Sequence, residues 1–281
     1  VDLCGVCGSD LHMVLDGWGQ RRSWPGHEWV GTVTAVGPAV TAWKPGDAVV
    51  GGPTTRCGTC GMCRAGRPSL CADRDTPGTE PEQGGFATYK RAPGGELLPL
   101  PEGLSPRAAA LAEPLAVALH GITLAKVEPQ HRVIVFGAGP IGALTTSALL
   151  ARGVTDLTVV EPGAGRQDLA RRIGAPRVVA PEDLEQPGWH PGHLVDEPYD
   201  RAIECSGNRK AMEQALGQLG RMGRLVFVGA GIDGPRFDAN RIMLNEVEIT
   251  GAFVYDADGF EQALALLPQL PLAHLIEPVD V

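Results

Sequence analysis

The stretch Val133-Ile134-Val135-Phe136-Gly137-Ala138-Gly139-Pro140-Ile141-Gly142 constrains the fold more tightly than any other part of the sequence. It reads as an apolar strand, a GxGxxG turn and then a helix over 140–151, the order in which a chain cradles a dinucleotide. Gly137 makes the turn, Gly139 admits a pyrophosphate against the backbone, and Gly142 lets helix and strand pack closely. Pro140 and Ile141 open the helix, whose N-terminus faces the phosphates. Glu161 closes the next predicted strand, nineteen residues past Gly142. Its carboxylate suits both ribose hydroxyls and would repel a 2′-phosphate, which favours NAD over NADP. Arg166, a few residues on, softens that preference. The plainer alternative is a Gly-rich packing turn with no ligand.

This unit sits in an alternating pattern. Strands are predicted at Val133–Phe136, Leu157–Val160, Arg177–Val179, Ala202–Cys205, Leu225–Val228 and Glu248–Phe253, with helical stretches such as Arg209–Leu219 between most of them. Six strands joined this way indicate a doubly wound parallel sheet. Residues 181–198, rich in Pro, Gly and His, read as an irregular loop. Before residue 105 the pattern is all-β with Gly/Pro turns: Val30–Val36, Ala48–Val50 and Phe86–Tyr89 are strand candidates. Ser105–Leu124 is Ala- and Leu-rich and reads as helix, broken at Pro114. The 281 residues suit two domains, and 43% hydrophobic against 20% charged residues suits packed cores. The formal charge is −9 and no basic run occurs, which argues against nucleic acid or an anionic membrane as partner. No apolar run is long enough to span a bilayer. The sequence begins at Val1 rather than Met and enters a motif at once, so its natural start reads as absent.

Seven cysteines are present, an odd number, and four are crowded together as Cys57-x2-Cys60-x2-Cys63-x7-Cys71. Four thiolates so spaced can close on one tetrahedral zinc with no open position, a structural site in a reducing compartment. An iron–sulfur cluster and paired disulfides remain open as alternatives. A second constellation holds Cys7-Gly8-Ser9-Asp10-Leu11-His12 and, fifteen residues later, Gly26-His27-Glu28. A thiolate, an imidazole and a carboxylate together suit a catalytic zinc that keeps one position open. A chance grouping of surface residues is the bland reading of that stretch.

With Glu113-Pro114-Leu115-Ala116-Val117-Ala118-Leu119-His120 added, these motifs stand in an order that resembles the zinc-dependent medium-chain dehydrogenase/reductases, the alcohol dehydrogenase-like enzymes. The resemblance covers nearly the whole chain. It implies a GroES-like catalytic β domain over 1–120 carrying two zincs and a Rossmann NAD-binding domain over 121–268. Residues 269–281 would then begin a segment returning to the first domain. It also implies that both ends are shortened. Cys7 and His27 would be catalytic zinc ligands, Glu28 the third ligand of the polyol, threonine and butanediol dehydrogenase branch, and Glu113 a glutamate that binds zinc directly or through its water. Asp10 would orient His27, Ser9 would begin a proton relay, and His12 would lie further out; a solvated imidazole is the plainer reading of His12. The expected reaction is reversible hydride transfer from a secondary alcohol, diol or polyol to NAD. The sorbitol-type members carry an arginine where Val254 stands, which argues against sorbitol itself. An inactive zinc- and NAD-binding relative and a zinc-free reductase are the competing readings. A homodimer or homotetramer in the cytoplasm is expected from the family alone.

Overall fold

The computed structural model describes residues 1–18, 24–52, 56–73, 83–256, 259–276 and 279. The return segment expected over 269–281 therefore lies partly outside the described residues. Along the first third of the chain run β1 (Leu3–Gly5), α1 (Gly8–Leu15), β2 (Glu28–Thr32), β3 (Ala48–Gly51), α2 (Gly61–Arg64), β4 (Leu97–Pro99) and α3 (Pro106–Ala109). Then follow α4 (Ala112–Ala125), β5 (Val133–Phe136), α5 (Pro140–Ala151), β6 (Leu157–Val160), α6 (Ala164–Arg172) and β7 (Arg177–Val179). The last part holds β8 (Tyr199–Glu204), α7 (Arg209–Gly217), β9 (Leu219–Phe227), α8 (Ala239–Leu244), β10 (Glu248–Gly251) and α9 (Gly259–Leu266). Among the described residues no helix is long and apolar enough to cross a membrane.

The chain forms two compact units, Val1–Ala116 with Tyr255–Pro268, and Val117–Val254 with Gln269–Val281. The chain thus re-enters the first unit at Tyr255, ahead of residue 269.

In the first unit β1-β2-β3-β4 form an antiparallel sheet. Val30, Val49 and Val50 are buried on it. Two strand expectations need correction. The β2 strand ends at Thr32, opposite Ala48 of β3, because its partner gives way beyond that point to the Lys44–Asp47 turn, to which Val33 N donates at Asp47 O, 2.9 Å. Phe86–Tyr89 is irregular backbone, not a strand. Its backbone bonds go to an irregular partner, Phe86 N donating to Pro25 O at 3.1 Å. Pro114 does not break a helix either. The break falls between α3 and α4, and Pro114 sits in the first turn of α4, where a missing N–H leaves no bond unmade.

In the second unit six parallel strands run in the order β10-β9-β8-β5-β6-β7, the 6-5-4-1-2-3 order of a doubly wound dinucleotide fold. Every residue of β5 and β6 is buried, as expected of central parallel strands covered on both faces. The α5 helix starts where β5 ends, and its first turns pack so closely that a Cβ on Gly142 would lie 1.9 Å from Gly137 O. Only glycine fits there.

Candidate active site and cofactor site

The antiparallel register of β1 on β2 sets Gly5 opposite Glu28. Two residues past Gly5 the chain reaches Cys7, which caps the N-terminus of α1. The Glu28 side chain lies so close over Gly5 that a Cβ there would collide with its carboxylate. Just before β2, Gly26 turns with φ +106°, and a Cβ would strike Phe86 N and Cys4 Sγ. That turn presents His27. As a result Cys7 Sγ, a ring nitrogen of His27 and a carboxylate oxygen of Glu28 all lie within 4.8 Å of one another.

Asp10, at the third position of α1, is buried and ties these pieces together. Its Oδ2 accepts from Cys7 N at 2.9 Å and its Oδ1 from Gly26 N at 3.1 Å. His27 Nδ1 lies 3.5 Å from the same Oδ1. Burial opposes ionisation of Asp10, but these donors outweigh it and hold the carboxyl below its usual range. Burial and the nearby Glu113 push Glu28 up to about 7. Burial also opposes charge on His27, yet Asp10, Cys7 and Glu113 push it up to about 12. The converging sulfur, nitrogen and oxygen donors match zinc.

Glu113 is buried in the first turn of α4. It lies outside the close trio but near enough for its charge to act on His27 and Glu28. Ser9 is half-buried in the first turn of α1. His12 turns to its own helix: Nδ1 meets Asp16 Oδ2 at 2.6 Å, and the ring stacks on Trp18 at 4.5 Å. Cys4 is a half-buried thiol pushed up to about 11, first by burial.

The four cysteines of the second constellation also converge, with all sulfurs within 4.8 Å of one another. Cys71 lies 3.6 Å from Cys57 and 4.0 Å from Cys60, sulfur to sulfur. Tetrahedral zinc with Zn–S of about 2.3 Å needs edges of about 3.8 Å. A disulfide needs about 2.05 Å, and all seven cysteines are free. A multi-iron cluster would hold the sulfurs further apart. Backbone amides prepare the site for anionic sulfur: Cys60 N donates to Cys57 at 3.2 Å, Cys63 N and Ala72 N each to Cys60 at 3.5 Å, and Cys57 N to Cys71 at 3.4 Å. The Ala72 and Cys63 amides bring the Cys60 thiol down to about 6.

In the second unit the glycine turn joins β5 to α5, with Gly139 as the helix N-cap and Pro140 and Ile141 at the first helical positions. Nothing stands closer than 3.9 Å to a Cβ built on Gly139, and the nearest atom is Arg166 Nη1. A phosphate can therefore approach the backbone there. Glu161 is buried at the end of β6, and its two oxygens accept from Ala138 N at 2.8 Å and Gly163 N at 2.9 Å. It braces the turn through both oxygens.

One buried carboxylate escaped the sequence reading. Glu204, fully buried at the end of β8, accepts from the Ser206 amide at 2.7 Å, from its hydroxyl, and from Gly207 N at 3.1 Å. Burial raises its pKa. An acidic residue ending an apolar strand before Cys-Ser-Gly was the signal available. Cys205 beside it is a packing thiol near Thr145, pushed up to about 12 by burial.

Known proteins share this arrangement. Residues 1–102 match the alcohol dehydrogenase GroES-like domain and residues 140–269 the zinc-binding dehydrogenase domain. The sorbitol dehydrogenase of Bacillus subtilis is 31% identical over 257 residues, covering 89% of this chain and 73% of that protein. The L-threonine 3-dehydrogenase of Saccharopolyspora erythraea is 31% identical over 264 residues, 92% of this chain and 75% of that protein. The acetophenone reductase of Geotrichum candidum NBRC 4597, solved in complex with NAD, superposes with a TM-score of 0.83 at 25% identity, over 99% of this chain and 80% of that one. With the fold, both cysteine-bearing sites and these relatives in agreement, the chain belongs to the zinc-dependent medium-chain dehydrogenase/reductases, the alcohol dehydrogenase-like enzymes.

Proposed function

We propose that this NAD-dependent zinc alcohol dehydrogenase oxidises a secondary alcohol, diol or polyol to a ketone, reversibly. The observation that carries the reading is the convergence of Cys7, His27 and Glu28 within 4.8 Å. When bound, zinc there supplies a Lewis acid that lowers the pKa of a hydroxyl, and NAD accepts the hydride. Cys7, His27 and Glu28 hold the ion, with Glu113 beside them. Asp10 keeps His27 turned and Cys7 in place, as carboxylates behind metal ligands commonly do. Ser9 receives the alcohol proton, and His12, paired with Asp16, takes the outer place in that relay. Gly137 and Gly139 admit the pyrophosphate against the start of α5, Gly142 lets α5 pack close to β5, and Glu161 takes the adenosine ribose. Cys57, Cys60, Cys63 and Cys71 hold a second, structural zinc.

The substrate class draws support from relatives whose names specify sorbitol, carbon 3 of L-threonine and acetophenone. Carbon 3 of threonine and reduced acetophenone are both secondary carbinols. Free thiols fit a reducing compartment such as the cytoplasm. A homodimer or homotetramer fits β10, the outer strand of its sheet, with Met222, Met243 and Leu244 exposed nearby. NADH formation at 340 nm with polyols, 2,3-diols, L-threonine and 1-phenylethanol tests the reading. Turnover of at least one that disappears in Cys7→Ala is expected. Turnover of none, or full turnover in Cys7→Ala, contradicts it.

A further inference from the structure

Three residues in or beside the four-cysteine stretch reach across the sequence to one dipeptide. Arg56 Nη2 donates to Tyr255 O at 3.0 Å, and its guanidinium lies 5.8 Å from the Tyr255 ring centroid. Arg67 Nε donates to Asp256 Oδ2 at 3.1 Å, and Ser69 N donates to Asp256 Oδ1 at 3.1 Å. Both oxygens of one carboxylate are thus occupied by the cysteine lobe. Arg67 is half-exposed and Asp256 partly buried, but Tyr255 and Ser69 beside them are buried, and Asp256 has a second donor in the Ser69 amide. Neither set of zinc ligands nor the glycine fingerprint includes any of these residues.

The dipeptide lies at a strained point of the chain. Val254, immediately before it, has φ +48°. A β-branched residue in the left-handed region persists only where its surroundings force it. Val254 follows the carboxyl end of β10, with Ala252 N still donating to Phe227 O at 2.8 Å. Doubly wound sheets bind ligands outside the carboxyl ends of their strands. The fingerprint and Glu161 occupy the β5–β6 half, so β8, β9 and β10 form the half that takes the nicotinamide nucleotide.

We propose that the cysteine lobe is a latch. Through Arg67 with Asp256, and Arg56 with Tyr255, it fixes Val254 by way of the peptide chain and so sets the nicotinamide end of the cofactor site. Arg67 and Asp256 are positioning residues that act on the cofactor site without touching the cofactor. The proposal rests on the dinucleotide reading of the second unit.

Asp256→Asn, Arg67→Gln and the double variant test it in the zinc-loaded protein. The readouts are the Kd of NADH by fluorescence, hydrogen exchange of the 252–256 amides, zinc per chain and the thermal midpoint. Each single variant is expected to weaken NADH binding about three- to tenfold and to speed exchange at 252–256, with zinc content unchanged. The double variant should be no weaker than the singles, because both break one contact. Arg67→Lys keeps the charge on a half-exposed side chain and should fall between wild type and Arg67→Gln. Unchanged Kd and exchange in the singles would overturn the latch. So would losses that add in the double variant, or a loss of affinity that appears only with loss of zinc. Failure of the wild-type protein to bind NADH would instead overturn the dinucleotide reading beneath it.

Discussion

Asp10 accepts from the amides of Cys7 and Gly26 and faces His27, so its loss strikes two of the proposed metal ligands at once. Asp10→Ala leaves two buried amides without an acceptor, at about 1–3 kcal/mol for such a group. We predict a stability loss of about 2–3 kcal/mol in urea unfolding and a drop in zinc affinity of about 10–100-fold in a chelator competition. Asp10→Asn, which keeps one acceptor oxygen, should lose less of both. Glu204 gives a pH prediction. Its pKa is raised in the folded chain, so the native state binds that proton more tightly than the unfolded state does. Stability therefore falls as pH rises from the ordinary glutamate range through the raised value. Glu204→Gln keeps an acceptor for Ser206 and removes this slope; thermal midpoints measured from about pH 4 upward report it. At this scale the convergence of Cys7, His27 and Glu28, and of the four cysteines, was legible, because zinc needs uncommon residue types at close spacing. Glu204 was not, since its partners follow it within a tight turn that only the folded loop reveals.

The strand–turn–helix from Val133 to Ala151 separates two kinds of glycine. At Gly142 a Cβ would lie 1.9 Å from Gly137 O, whereas at Gly139 it would meet nothing within 3.8 Å. Gly142→Ala should cost about 1–3 kcal/mol through forced separation of helix and strand, and weaken NADH binding with it. Gly139→Ala should leave the thermal midpoint unchanged and raise only the KM for NAD. Equal effects of the two variants on stability would contradict this division of labour. The element was legible because central parallel strands are apolar throughout and the turn demands glycine. Val33–Val36 and Phe86–Tyr89 were misread for the opposite reason: β-branched and aromatic residues mark strand propensity, but a strand also needs a partner, and here the partners are turns.

At the scale of the molecule, the six-stranded parallel sheet followed from the alternation of strand and helix signals. The re-entry of the chain into the first unit at Tyr255 did not. It depends on contacts such as Arg67 with Asp256, 189 positions apart, and no local pattern announces a pairing at that distance. The same scale holds the central claim, that two separate donor sets, one closed and one open, share a single small β unit. Elemental analysis of zinc per chain, on protein purified without added metal, tests this most directly. Two zincs are predicted for the wild-type chain and one for Cys7→Ala, with the four-cysteine site still filled. One zinc in the wild type, or two retained in Cys7→Ala, would contradict the account.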